Sequence, residues 1–155
     1  MDDPRMAPEL DVSQWLNSDG LTLSSLRGRV VLLEAFQMLC PACVSHSLPQ
    51  AQRVQKLFSS DDLAVIGIHT VFEHHDAMEP HALAAFASEY RLTFPIGIDR
   101  HDGEQRIPVT MRAYDLQGTP SQVLIDRQGL VRSSTFGIVD DLALGSQIGR
   151  LLAEP

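Results

Sequence analysis

The spacing of apolar residues changes from segment to segment along the chain, and each spacing predicts an element. Val30-Val31-Leu32-Leu33-Glu34-Ala35-Phe36 is a nearly unbroken apolar run, the pattern of a central strand covered on both faces. After Cys43 and through about Ser59, Leu48, Ala51, Val54, Leu57 and Phe58 recur at three- and four-residue intervals. That period predicts a helix with one buried face. Pro49 falls inside it and is expected to kink it. Leu63–Ile68 predicts another buried strand, residues 80–90 another helix beginning at Pro80, and Phe94–Ile98 a short strand. Residues 100–109, with Arg100, His101, Asp102, Glu104 and Arg106, read as a solvated loop, and Thr110–Tyr114 as one helical turn. Ser121–Ile125 and Leu130–Phe136 flank the turn Asp126-Arg127-Gln128-Gly129 as a hairpin, and Leu142–Leu152 closes the chain as a helix.

The start of the chain is polar. Residues 1–12, with Pro4 and Pro8, read as a lead-in, and residues 13–155 as one domain. Trp15-Leu16-Asn17 and Leu21-Thr22-Leu23 flank Ser18-Asp19-Gly20; Asp-Gly is a strong turn signal, so an N-terminal β-hairpin is expected there. Ser24–Gly28 reads as a brief helical turn ended by glycine. Strands alternating with helices, then a hairpin and a last helix, make an α/β domain with a mixed central sheet flanked by helices. Its parallel crossovers should be right-handed.

Composition narrows the function classes. The chain has 155 residues, 44% of them apolar and 21% charged, with a formal net charge of −8. An acidic protein lacks the basic face on which general nucleic-acid or anionic-membrane binding depends. No apolar run reaches the roughly 18 residues of a membrane helix, so no membrane insertion is expected. Asp2, Asp3, Glu9, Asp11 and Asp19 against a single Arg5 do not resemble an export signal. The expectation is a cytosolic protein, or a periplasmic one if such a signal has been trimmed.

The two cysteines, Cys40 and Cys43, form a C-x-x-C pair with no second pair to complete a zinc ribbon. They follow the first buried strand and open the helix. At a helix N-terminus a sulfur faces unpaired N–H groups and the positive end of the helix dipole, and both stabilise thiolate over thiol. Pro41 suits the first helical position, where no N–H is needed. Cys43, one turn on, lies within reach and should be the more buried. Cys40 is therefore the candidate that attacks a partner disulfide, and Cys43 the one that resolves the mixed disulfide. Two incidental buried thiols, or half of a metal site shared between chains, are the alternatives. Glu34 is a charged residue within an apolar strand, costly unless neutral or paired. Burial would raise its pKa and suit it to exchange a proton with Cys43; a strand-edge carboxylate paired with a surface cation is the alternative.

Val30–Phe36 running into Leu39-Cys-Pro-Ala-Cys43, followed by Gly118-Thr-Pro-Ser-Gln-Val-Leu-Ile-Asp-Arg-Gln-Gly129, resembles the thioredoxin superfamily. The resemblance spans residues 13–153 and is nearest to the redoxin branch of thiol-disulfide reductases and AhpC/TSA-like proteins. It implies a thioredoxin fold, with Cys40 as nucleophile and Cys43 as resolving thiol. It also implies a cis-proline at Thr119-Pro120 that shapes the groove for an extended segment of the partner. Glu34, six residues before Cys40, stands where thioredoxins carry a buried carboxylate. Leu39, Pro41, Thr119 and Pro120 are the expected substrate contacts, with Met38 and Leu39 forming an apolar rim.

The chain also departs from the family. Leu39 replaces the tryptophan before the first cysteine, and Phe36 another common tryptophan. Pro49 falls nine residues after Cys40, where eight is usual. The peroxidase signature P-x-x-x-[ST]-x-x-C is missing: Gln37 and Leu33 precede Cys40 at its key positions, and Cys40 and Phe36 precede Cys43.

The expected function is thiol-disulfide exchange with protein or small-molecule thiols, without metal or organic cofactor. The electrons would come from thioredoxin, glutathione or a membrane relay. A peroxiredoxin-like peroxide reductase is the alternative, followed by a redox-linked metal-handling module built on His69, His74, His75 and His81, which stand near Glu73, Asp76 and Glu79. A His-rich polar loop is the simpler account of that cluster. His46 is read as a solvated helix residue, with tuning of a thiolate as its alternative.

Overall fold

The computed structural model describes residues 4–103 and 105–155; Asp2, Asp3 and Glu104, named above, lie outside the described residues. In chain order the strands are β1 (Arg5–Met6), β2 (Val12–Leu16), β3 (Val30–Phe36), β4 (Leu63–His69), β5 (Ile96–Asp99), β6 (Ser121–Ile125) and β7 (Leu130–Phe136). The helices are α1 (Leu48–Leu57), α2 (Pro80–Glu89), α3 (Val109–Ala113) and α4 (Asp141–Ala153). The strands form one sheet in the order β1-β7-β6-β3-β4-β5-β2. β3 pairs parallel with β4 and antiparallel with β6, so the sheet is mixed, as expected.

The apolar run of β3 is explained by its neighbours. Leu32 and Phe36 belong to a core with Leu48, Ala51, Leu144 and Ile148 from α1 and α4. Val31 and Leu33 face the other way, onto Leu23, Leu26, Ile66, Tyr114 and Val123. Every residue of β3 is buried, and each Leu or Phe so buried contributes about 1.5–3 kcal/mol. Glu34 shares the parity of Leu32 and Phe36 and therefore faces α1.

Two local features fix the C-terminal part. Asp126 Oδ1 accepts the N–H groups of Gln128 and Leu130 at 2.9 and 3.0 Å, and Gly129 takes φ +89°, which closes the β6–β7 turn. Asp140 caps α4 by accepting from Leu142 N and Ala143 N.

The expected N-terminal hairpin does not form. β2 pairs antiparallel with β5 at the far edge of the sheet, and residues 21–23 are not a strand. The two runs are separated by Asn17 at φ +62°, whose side-chain amide donates to the carbonyls of Leu92 and Phe94. Leu23 turns into the core, and its N–H is bonded by the Glu9 carboxylate. β2 gains more by covering β5: Gly97 lets Val12 and Trp15 approach so closely that a Cβ there would lie 2.7 Å from Val12 Cγ1. The polar lead-in is structured too. Arg5 and Met6 pair with Val131 and Leu130, and the Tyr114 hydroxyl donates to the Pro8 carbonyl at 2.6 Å. No helix among the described residues is long and apolar enough to cross a membrane.

Candidate active site

Cys40 ends the loop that leaves β3, and the chain turns helical at Pro41. Its carbonyl accepts the Val44 N–H at 3.1 Å, while its sulfur accepts the Cys43 N–H at 3.3 Å. Cys40 thus occupies the N-cap position with a sulfur in place of the usual oxygen acceptor. Pro41 is the first helical residue and is exposed. Cys43 is fully buried, Cys40 half-buried, and the two sulfurs form a disulfide with Cα atoms 5.2 Å apart.

The extra residue between Cys40 and Pro49 is absorbed locally. Cys43–Ser47 form a π-helical turn in which the Leu48 N–H reaches the Cys43 carbonyl, five residues back rather than four. A π turn holds one residue more than an α turn, so the helix regains its phase before Pro49, the second residue of α1. Ser47, at the end of this turn, donates to the Cys43 carbonyl at 3.4 Å.

Two loops adjoin the segment that leads into Cys40. The Thr119–Pro120 peptide bond is cis, and the buried Pro120 accepts the Gly137 N–H at 2.8 Å through its carbonyl. Gln37 ties this loop to the segment before Cys40: its amide nitrogen lies 3.4 Å from Thr119 Oγ1, and its oxygen accepts the Phe72 N–H at 3.2 Å. Leu39 is 56% exposed, whereas Met38 is buried, so only Leu39 of the expected rim faces outward. Phe136, 57% exposed, lies over Gly118, where a Cβ would come within 2.9 Å of its ring.

Glu34 is fully buried beneath this surface, and the strand-edge alternative is excluded by its position in the central strand. Its Oε2 accepts from Gln122 Nε2 at 2.9 Å. The same nitrogen donates to Gln50 Oε1 at 2.7 Å, and Gln50 Nε2 donates to the Val139 carbonyl (2.8 Å) and to Asp141 Oδ1 (2.7 Å). Ser47 lies beside the carboxyl, where its hydroxyl also favours the charged form; it reaches the Cys43 carbonyl at 3.4 Å, and Glu34 Oε1 has no partner within hydrogen-bond distance. Burial holds the Glu34 pKa well above the ordinary carboxyl range, opposed chiefly by the Gln122 amide.

The histidines do not gather. His69 is buried: its Nε2 accepts the Met38 N–H at 3.2 Å, its ring centroid lies 5.2 Å from that of Phe36, and burial lowers its pKa to about 4. His74 sits in a left-handed turn, His75 lies edge-on to His101, and His81 is an exposed neighbour of Glu79. Among the described residues no three His, Cys, Asp or Glu side chains are placed to hold a metal ion. His46 is not simply solvated, because its Nε2 donates to the Val139 carbonyl at 3.0 Å.

Gln50, Gln122 and Phe136 escaped the sequence reading, while Gln37 and His69 entered it in other roles. The available signal for Gln122 was a polar residue in a second buried strand, facing the same problem as Glu34. Their partnership follows from the register, which places Glu34 directly opposite Gln122.

A mixed sheet with a C-x-x-C disulfide capping the helix that follows its central strand defines a thioredoxin-like protein. The chain belongs to the AhpC/TSA family, whose sequence pattern matches residues 5–134. Among solved structures, a thioredoxin-like superfamily protein is 53% identical with a TM-score of 0.94, covering 97% of each chain. A thiol-disulfide isomerase from Corynebacterium glutamicum is 50% identical with a TM-score of 0.93, covering 96% of this chain and 98% of that one. Protein DipZ of Mycobacterium bovis is 32% identical over 135 residues, which is 84% of this chain but only 18% of that protein. The chain thus spans under a fifth of the length of its DipZ relatives.

Proposed function

We propose that the protein is a thiol-disulfide oxidoreductase that exchanges the Cys40–Cys43 couple with disulfide-containing proteins or small thiols. The observation that carries the reading is the capping geometry. Cys40 Sγ receives a backbone N–H at the start of the helix, while Cys43 is sealed beneath it. A thiolate at Cys40 is stabilised there by that N–H and by the helix dipole. In the reductive direction the Cys40 thiolate attacks one sulfur of the substrate disulfide, forming a mixed disulfide and releasing the other sulfur as thiolate. Cys43 then loses its proton and attacks Cys40 Sγ, forming the internal disulfide and expelling the second substrate sulfur. Two electrons pass to the substrate, and an external thiol restores the pair.

Glu34 is the group proposed to take the Cys43 proton and return it. Leu39, Pro41, Thr119 and Pro120 are proposed to contact the substrate. The similarity to a thiol-disulfide isomerase over nearly the whole of both chains supports this reading over a peroxide reductase. So does Gln37, which holds the third position before Cys40 where the peroxidase signature needs serine or threonine and is already engaged by Thr119 and Phe72. Thioredoxin, glutathione or a membrane relay as electron donor, a cytosolic location, and residues 13–155 acting as one domain belong to the same proposal. Alkylation rates of Cys40→Ser and Cys43→Ser variants against pH, with insulin reduction by a dithiol donor, test it. The Cys40 thiol should react faster and both variants should lose turnover. Faster modification of Cys43, or hydrogen-peroxide consumption that survives Cys43→Ser, would overturn the reading.

A further inference from the structure

The polar chain behind Glu34 has a fixed direction. The Val139 carbonyl and the Asp141 carboxylate can only accept, so the group of Gln50 that lies 2.8 and 2.7 Å from them must be its NH2. Both Gln50 protons are thereby used, and only its oxygen is left to face Gln122. Gln122 must then present its own NH2, giving one proton to Gln50 Oε1 and the other to Glu34 Oε2. The orientation of an amide anchored near the surface therefore decides, two links inward, which oxygen of a buried carboxyl acts as acceptor. The cost stays in the structure: Gln122 Oε1 and Glu34 Oε1 are both buried without a partner.

We propose that Gln50 and Gln122 are positioning residues that commit Glu34 Oε2 as a permanent acceptor and leave Oε1 as the oxygen that carries and exchanges the proton. The inference rests on the reading of Glu34 as proton carrier. Oε2 receives a proton from Gln122, so an acidic hydrogen placed there would meet it head-on. Oε1 meets no donor, and the hydrogen of the neutral acid belongs on it. Beside the carboxyl lies Ser47, whose hydroxyl reaches the Cys43 carbonyl at 3.4 Å and whose oxygen can accept a hydrogen bond from the neutral acid. The arrangement directs the exchangeable proton towards the end of the helix that holds Cys43.

Few other charges bear on the site. The elements packed there carry Cys43, His46, Arg53 and Lys56 on the helix, His69 on β4, and Asp141 and Arg150 on α4, while β6 contributes the neutral Gln122 and the residue paired with Glu34 on β4 is Gly67. Asp141 is paired with Arg53 at 3.0 Å.

The test is a carbon-13 NMR titration of the Glu34 carboxyl in the full chain, with the disulfide intact so that neither cysteine titrates. Gln122→Leu removes the donor to Oε2 and should raise the midpoint by about one pH unit, the effect of one hydrogen bond to a charged group. Gln50→Leu, which reaches Glu34 only through Gln122, should move it in the same direction. It frees the Gln122 amide to turn its oxygen towards the carboxylate. The pH profile of insulin reduction should follow both shifts, and the shifts should vanish in a Glu34→Gln background.

Thermal melts identify a variant that does not fold; if Gln122→Leu is one, Gln50→Leu carries the test. Lower stability with an unmoved Glu34 titration would overturn the proposal and make the glutamines structural only. A titration that shifts while the turnover profile stays fixed would uphold the positioning and overturn the catalytic part given to Glu34.

Discussion

Two carboxylic acids are buried in strands of the same sheet, and they are treated in opposite ways. Asp99, at the end of β5, is 1% exposed; its Oδ1 accepts the Thr110 N–H at 2.7 Å, and its Oδ2 accepts the Met111 N–H and the Thr70 hydroxyl, each at 2.9 Å. Glu34, in β3, has the Gln122 amide on Oε2, the Ser47 hydroxyl nearby, and no partner within hydrogen-bond distance of Oε1. Burial raises the pKa of both, but at Asp99 the Thr110, Met111 and Thr70 hydrogen bonds work against it, whereas Glu34 is left well above the ordinary range. The depth of burial and the number of donors aimed at a buried carboxyl together decide how far its pKa is raised.

The sharpest way to break this comparison is Asp99→Ala. It strands two backbone N–H groups at the start of α3 and the Thr70 hydroxyl, and should cost about 3 kcal/mol or more in urea unfolding. A loss below about 1 kcal/mol would show that Asp99 does not anchor that end of the sheet.

His69 provides the basic counterpart, a buried group whose folded pKa is lowered to about 4 from the model-compound value of 6.5. Between those values the unfolded chain binds more protons than the folded one, so stability is lost as pH falls from 6.5 to about 4. The loss should approach about 3 kcal/mol at its limit. His69→Gln, which retains an acceptor for the Met38 N–H but does not titrate, should flatten this limb in chemical unfolding measured at several pH values. An equally steep limb in the variant would assign the acid sensitivity elsewhere.

At Glu34 the pH dependence of stability has the opposite sign. Its raised folded pKa means that the folded state holds its proton longer than the unfolded one, so stability falls as pH rises above the unfolded value near 4.5. Glu34→Gln removes that loss and should leave the melting temperature at pH 7 equal to or above the parent's. The same variant should lower insulin reduction about a hundredfold, the low end of what a positioned proton carrier supplies. An unchanged rate from pH 5 to 9 would place Glu34 with Asp99 as a structural acid.

Much of the candidate site was legible because it is local. The C-x-x-C spacing, Pro41 at the first helical position, the apolar run of β3 and the Asp126–Gly129 turn each depend on residues a few positions apart. Periodicity, caps and turn chemistry encode such features directly. The expected N-terminal hairpin fails for a related reason. Asp19-Gly20 is a sound turn signal, but it carries no information on whether β2 has a better partner, and the edge of β5 proved to be that partner.

What the sequence alone determined, then, is the scaffold and the thiol pair: a mixed sheet, a redox-capable cysteine couple at a helix start, and one suspect carboxylate within an apolar strand. Tertiary structure decided which groups meet that carboxylate. Glu34 and Gln122 are 88 residues apart, and Gln122 and Gln50 are 72 apart. No local period links such positions; strand register and helix packing bring them together. The direction of the resulting donor chain is set at its far end, by a loop carbonyl and a helix-terminal carboxylate that only the folded chain places beside Gln50.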